Sequence, residues 1–248
     1  MTSYSKFAEF YDILTENIDY KKHAEYYDQL VSEFGGEKGI LLDLACGTGS
    51  LSEAMSRLGY DVIGVDLSQE MLSIALDKKY DSQLDIQYLC QDMRELDMYG
   101  TLDVTICALD SLNHLPDIES LKRAVERVSL FLNPNGLFIF DVNSQYKHKE
   151  ILADNIFIYD TEKVYCVWEN AYFEEDCTVE ISLSFFENCG ECYKRYEECF
   201  SEKAYSIETL DEILINAGFE IVAHYDYLSK SMPSEKSEKI TFVARKVR

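Results

Sequence analysis

The chain predicts an α/β protein built on an open, mostly parallel sheet, and three observations carry that prediction. Ile40 through Ser50 reads Ile-Leu-Leu-Asp-Leu-Ala-Cys-Gly-Thr-Gly-Ser, an apolar run that ends in Gly-x-Gly just ahead of the amphipathic stretch Leu51 to Leu58. A buried parallel strand, a tight turn and a helix require that order. Apolar runs and helical periods then alternate to about residue 144. Beyond that the pattern changes. Asn155 to Glu202 is rich in Tyr, Phe, Val and Ile and contains alternating stretches such as Val179-Glu180-Ile181-Ser182-Leu183, the period of antiparallel strands.

Taken in order, the elements place ligand chemistry at successive strand ends. Gly47 and Gly49 accept backbone angles a side chain forbids and let a ligand lie against the main chain, while the next helix points free N–H groups at it. An anionic or hydroxyl-rich ligand is expected there. A dinucleotide site needs a third glycine three residues on, and that position is Ser52. Asp66 closes the second apolar run, Val62-Ile63-Gly64-Val65-Asp66, where a carboxylate can accept hydrogen bonds from both ribose hydroxyls. Leu67-Ser68 then opens a helix. The third strand, Ile86 to Cys90, ends in Gln91-Asp92-Met93, and Asp92 can accept from an adenine amino group. Each cue alone has an ordinary structural explanation: a glycine turn, a helix cap at Asp66, a turn residue at Asp92. Their conjunction on consecutive strands points to a cofactor. Asp43, inside the first strand, reads instead as a structural acceptor.

At these residues the chain resembles the class I S-adenosylmethionine-dependent methyltransferases. Leu42-Asp43-Leu44-Ala45-Cys46-Gly47-Thr48-Gly49 is similar to their first motif, Gly64-Val65-Asp66-Leu67-Ser68 to the acidic end of their second strand, and Cys90-Gln91-Asp92-Met93 to their adenine-binding step. The likeness continues through Asp103 to Ala108, a fourth strand, and Pro134 to Phe140, a turn and fifth strand. It reaches Ala217-Gly218-Phe219 and Thr241 to Lys246, similar to the last two strands. The fold it implies is a Rossmann-like sheet of seven strands, mostly parallel with the last antiparallel, with helices on both faces and an inserted antiparallel β subdomain. Phe7-Ala8-Glu9-Phe10-Tyr11-Asp12 and Tyr20 resemble the start of small bacterial methyltransferases that include enzymes acting on sugar amines and other small amines.

The resemblance implies S-adenosyl-L-methionine as cofactor. It sets Gly47 and Gly49 along the methionine and ribose, Asp66 at the ribose, Asp92 and Met93 at the adenine, and Leu109 at the methionine portion. Ala45, Leu67, Met71 and Gln91 complete the set, with Tyr11 and Tyr20 closing the pocket near the sulfonium or a cationic amine. The chemistry is in-line displacement of a methyl group by an amine or hydroxyl, in which orientation supplies much of the rate. His114, a few residues past the fourth strand, is the candidate general base; its plain alternative is a histidine that caps the next helix or packs beside Pro116. A non-catalytic cofactor-binding sensor or scaffold is the second reading, and an NAD-type oxidoreductase the third.

With 248 residues and 47% hydrophobic content the chain can bury one full core. The expected division is a methyltransferase domain from 1–144 and 204–248, with 145–203 inserted as a lid or dimerisation subdomain. Asn188-Cys189-Gly190-Glu191 is the expected hairpin turn between Thr178–Glu187 and Cys192–Phe200, and Ser206 the cap of the helix that follows. Net charge is −23, so a phosphate backbone is repelled and nucleic acid is not expected as a partner. Nor does Ala108 to His114 contain the Asn/Asp-Pro-Pro-Tyr type of motif found in base-directed DNA amino-methyltransferases. The start lacks the basic and apolar regions of a signal peptide, and no apolar stretch nears the about 18 residues that cross a membrane. A cytoplasmic monomer or homodimer acting on a small-molecule acceptor, away from membranes, is the expectation. Among eight cysteines, Cys189-x-x-Cys192 has zinc-like spacing. Cys177, however, lies about ten strand residues away at ~3.3 Å each, too far to join one site, so no metal is expected, and the cysteines earlier in the chain, Cys46, Cys90, Cys107 and Cys166, read as buried core thiols.

Overall fold

In the computed structural model, which describes residues 5–247, the strands follow in chain order as β1 Ile40–Leu44, β2 Asp61–Asp66, β3 Ile86–Cys90, β4 Leu102–Cys107 and β5 Leu132–Asn143. A second set follows as β6 Ile156–Asp160, β7 Val164–Phe173, β8 Thr178–Asn188 and β9 Tyr193–Lys203, and the chain closes with β10 Phe219–Asp226 and β11 Lys239–Lys246. Two sheets result. The first has seven strands in the order β3-β2-β1-β4-β5-β11-β10. β1 to β5 pair in parallel, and β11 runs antiparallel to both β5 and β10, so the last strand alone is reversed. The strand order turns at β1 and β4, and open α/β sheets bind ligands outside the carboxyl ends at such a point.

The helices are α1 Ser5–Leu14, α2 Tyr20–Glu33, α3 Ser50–Arg57, α4 Gln69–Ser82, α5 Ile118–Phe131 and α6 Ile207–Asn216. Their starts follow from polar residues that take the first free amides. Ser68 accepts from Met71 N, Asp117 from Ser120 N and Ser206 from Thr209 N, as the sequence leads one to expect for Ser206. α5 buries Leu121, Ala124, Val125 and Val128 at helical spacing, and each buried Leu or Val contributes about 1.5–3 kcal/mol. α5 and α6 pack on one face of the sheet. α2 and α3 pack on the other. Where a dinucleotide fold carries its third glycine, the fully buried Ser52 donates its hydroxyl to Asp43 at 2.5 Å and ties α3 to β1. Asp43 is therefore the structural acceptor expected.

The second sheet is antiparallel in the order β6-β7-β8-β9. β8 and β9 pair from Thr178 with Lys203 to Asn188 with Tyr193, and Gly190 takes the turn with φ +90°. A π-helical segment, Lys147–Leu152, leads into this sheet; alternation and helical period give no sign of it. The sheet's inner face packs on α1, with Phe7 and Phe10 at 6.1 and 5.8 Å from the Phe185 ring. Cys46, Cys107 and Cys166 are buried thiols, but Cys90 is exposed. That corrects the expectation for Cys90, which ends the edge strand β3, where no neighbouring strand covers it. Among the described residues no helix is long and apolar enough to cross a membrane.

Candidate functional site

A cavity of about 680 Å³ opens at the carboxyl ends of β1, β2, β3 and β4 and is roofed by α1. Tyr11, Ala45, Gly47, Asp66, Leu67, Met71, Gln91, Asp92, Met93, Leu109 and His114 all line it. Two expected residues stand off its wall. Gly49 is the left-handed N-cap of α3, φ +75°, and a Cβ there would meet the Tyr88 hydroxyl and Ala75, so its glycine serves the packing of the loop on β3 and α4. Tyr20 begins α2 and turns its hydroxyl to Thr15 Oγ1 at 3.5 Å.

Asp66 is the hinge of the site. One carboxylate oxygen accepts Gly47 N and the other Ser68 N, both at 2.8 Å, so a single side chain fixes the glycine loop and the start of α4 together. Burial pushes its carboxyl above the usual range even though these backbone donors pull the other way. A carboxylate offers about four acceptor positions, so Asp66 keeps accepting capacity beyond the backbone donors Gly47, Ser68 and Leu67. Gly47 itself has φ +54° with open space where a Cβ would stand, so the main chain is bare to the cavity. Ala45 and Leu109, at the ends of β1 and β4, both hold positive φ, +61° and +56°. Such backbone persists only where its surroundings impose it. For Leu109 the cause is Asp141, fully buried on β5, which accepts Leu109 N, Asp110 N and the Tyr27 hydroxyl.

Asp92 is engaged by Arg94, whose guanidinium and backbone N donate to it and hold its carboxyl below the usual range. An adenine amino group has to share that carboxylate with Arg94. On the roof, Asp12 accepts from Thr48 Oγ1 at 2.6 Å and pairs with Lys78 at 2.6 Å, while Lys78 also donates to Thr48 and Ser50. α1 is thereby latched to the glycine loop and α4.

Behind the lining, next to Leu109 and Ser111, lies a largely buried charged cluster. Burial pushes the Asp110 carboxyl up, but Lys239 and Lys147 outweigh burial and hold it below the usual range. Lys239 in turn is raised to about 12 by Asp110 and Asp141, against the effect of burial. His114 ends a 3-10 turn, Ser111–His114, and the cap of α5 is Asp117, so His114 is no helix cap. Its ring lies 5.2 Å from Phe200, and its Nε2 is 3.8 Å from the Glu202 carboxylate.

Ser68, Glu70, Arg94 and Ser111 also line the cavity, and Asp12, Lys78, Asp141 and Glu202 support it; sequence reasoning missed all of these as site residues. Glu202 is a carboxylate at the inward parity of β9, opposite the buried Val179, but Glu198 shares that parity opposite the buried Leu183, so alternation alone does not single Glu202 out.

A seven-stranded sheet with its last strand reversed, a bare glycine loop and a carboxylate at the end of β2 define an α/β protein that cradles a nucleoside. The family described as a methyltransferase domain matches residues 41–136. YqeM of Bacillus subtilis (strain 168), which carries a methyltransferase name, is 34% identical over 98% of this chain and 97% of its own. A crystal structure of an S-adenosylmethionine-dependent methyltransferase from Clostridium acetobutylicum ATCC 824 is 37% identical, covers 99% of each chain and superposes with a TM-score of 0.89. The SAM-bound CalS10, an amino pentose methyltransferase from Micromonospora echinaspora, shares the fold at 18% identity, with 93% of each chain covered and a TM-score of 0.74. The chain belongs to the S-adenosylmethionine-dependent methyltransferases. S-adenosylmethionine is its cofactor, and the bare Gly47 backbone, the remaining accepting capacity of Asp66 and the volume of the cavity fit that group.

Proposed function

We propose that this protein methylates a small-molecule amine or hydroxyl by in-line displacement. The observation that carries this reading is that one cavity holds the nucleoside-binding strand ends, the aromatic roof residue Tyr11 and the ionisable side chain of His114. Asp66 would hold the ribose, Gln91, Asp92 and Met93 the adenine side, Ala45, Gly47 and Leu109 the methionine portion, with Leu67 and Met71 packing beside the nucleoside. Bound S-adenosylmethionine supplies a methyl group already activated on a sulfonium. The chain's own residues then have three tasks: orient the acceptor, exclude water and receive a proton. α1 covers the cavity, Tyr11 narrows it, and His114 takes the acceptor's proton, an effect worth typically about 10²–10⁴-fold. The fold shared with an amino pentose methyltransferase, together with the acidic balance of the chain, supports amines among the candidates.

The test is mass spectrometry of the purified protein with S-adenosylmethionine and a panel of amino sugars, other small amines and hydroxyl compounds. Release of S-adenosylhomocysteine with one of these, at least about tenfold above the acceptor-free background, is the expected result. Tight cofactor binding with no release across the panel would instead favour the sensor or scaffold reading.

A further inference from the structure

Glu202 is a buried carboxylate on β9, the last strand of the second sheet, on the face it shares with Tyr196, Glu198 and Phe200, and of these four only Glu202 is buried. It lies between two imidazoles. Its Oε1 is 3.8 Å from His114 Nε2 and its Oε2 3.7 Å from His148 Nε2, while Asn143 Nδ2 donates to Oε2 at 2.8 Å. His148 is fully buried, and its Nδ1 is 2.9 Å from the Cys177 carbonyl, which can only accept, so that nitrogen carries a proton. The remaining nitrogen of His148 has no hydrogen-bond partner and faces Glu202. Asn143 thus holds the Glu202 carboxylate at the edge of the cavity, with the buried His148 ring beside it.

The turn that carries His114 is fixed to the same strand. Asn113 Nδ2 donates to the carbonyls of Lys203 and Asn143, and its Oδ1 accepts Asn143 N. Phe200 supports the His114 ring. We propose that Glu202, delivered by the inserted sheet, is the positioning residue for His114, engaging the Nε2 side of the ring and leaving Nδ1 to receive the acceptor's proton. The proposal rests on the reading of His114 as base. In the proton step the N–H or O–H bond of the acceptor breaks, its electron pair stays on the acceptor atom, and the proton forms a new bond to Nδ1. The imidazolium so made stands beside Glu202. This gives residues 145–203 a part in the chemistry, beyond covering the site.

Other charges act on the same groups. Asp66 and Asp110 face His114, and Lys147, Lys239 and His148 face Glu202. Glu202 is therefore one of several charges around the His114 ring. The test follows the imidazole resonances of the four histidines by NMR across pH in the full chain. Wild type, Glu202→Gln and Glu202→Asp are compared with no acceptor present. Titration is accompanied by turnover with the acceptor found in the panel above, at saturating cofactor, in Glu202→Gln, His114→Ala and the double variant.

In Glu202→Gln the expected results are a His114 titration displaced to lower pH than in wild type, since a negative charge beside the ring is removed, and turnover at least about tenfold lower, with cofactor affinity within threefold of wild type. Glu202→Asp recovers part of both, and the double variant loses no more than His114→Ala. A His114 titration unmoved by Glu202→Gln, or losses that multiply in the double variant, would overturn the proposal while leaving His114 as base. If His114→Ala alone keeps turnover within fivefold of wild type, the base reading fails, and the positioning role of Glu202 fails with it.

Discussion

Asp43 is buried in β1 with Ser52 as its hydrogen-bond donor, and it faces the charge of Asp66 at the end of the neighbouring strand β2. Burial pushes its carboxyl up to about 7, only partly offset by the Ser52 hydroxyl, from an ordinary value of 3.8. The sign follows from proton counting. Between about pH 4 and 7 the folded chain holds a proton that the unfolded chain has released, so stability present below the ordinary value is lost as pH rises towards 7. Asp43→Asn keeps an oxygen for Ser52 and removes the ionisation. Its Tm relative to wild type is therefore expected to be higher at pH 8 than at pH 5, measured by calorimetry. An equal difference at both pH values would show that Asp43 does not carry the charge cost. At this scale the sequence discloses residues whose chemistry coincides with an element boundary. Asp66 and Gly47 belong to that group, because a glycine turn and a carboxylate on consecutive strand ends point together to one ligand, although each alone has an ordinary structural use. Arg94 and Asp141 do not, since their role depends on partners the local pattern does not name.

The elements themselves were legible wherever local chemistry marks their ends. β3 matches its expected span, and α4 and α6 start where Ser68 and Ser206 offer caps. Contacts between distant elements leave no such mark. Nothing in Phe7 to Asp12 announces that α1 will pack on Phe185 of β8, or that Asp12 will meet Lys78. That latch has a consequence for ligand exchange. Lys78 and Asp12 are partly exposed, and such pairs contribute roughly 0.2–1 kcal/mol, with further support from the Thr48 and Ser50 hydroxyls. Lys78→Ala should loosen α1 over the cavity and raise the cofactor dissociation rate about two- to fivefold in stopped-flow experiments, with little change in Tm. The same rise should appear in wild type as salt is added, because screening weakens the pair. A dissociation rate unchanged in Lys78→Ala at low salt would remove α1 from control of cofactor exchange.

For the molecule as a whole, the alternation of apolar runs with helical periods discloses a mostly parallel sheet, whereas the order β3-β2-β1-β4-β5-β11-β10 depends on which strands pair, which alternation does not name. The second sheet was legible as antiparallel from its period of two, but its approach to the first sheet was not, because that is set by aromatic contacts with α1 and by Glu202 reaching His114. Net charge of −23 acts at this scale also. No retardation of DNA or RNA fragments is expected at about 150 mM salt, where counterion release would drive binding; salt-dependent RNA binding in the submicromolar range would revive a nucleic-acid substrate. The central claim is that the strand-end cavity holds S-adenosylmethionine through Asp66. Its most direct test is calorimetric titration of the cofactor into wild type and Asp66→Ala, with Tm recorded for both. Two charge-assisted hydrogen bonds at ~1.5–3 kcal/mol each predict a loss of affinity of at least ~10²-fold in a variant that still folds, though less stable for want of the Gly47 and Ser68 contacts. A folded Asp66→Ala protein that binds S-adenosylmethionine within threefold of wild type would contradict the account.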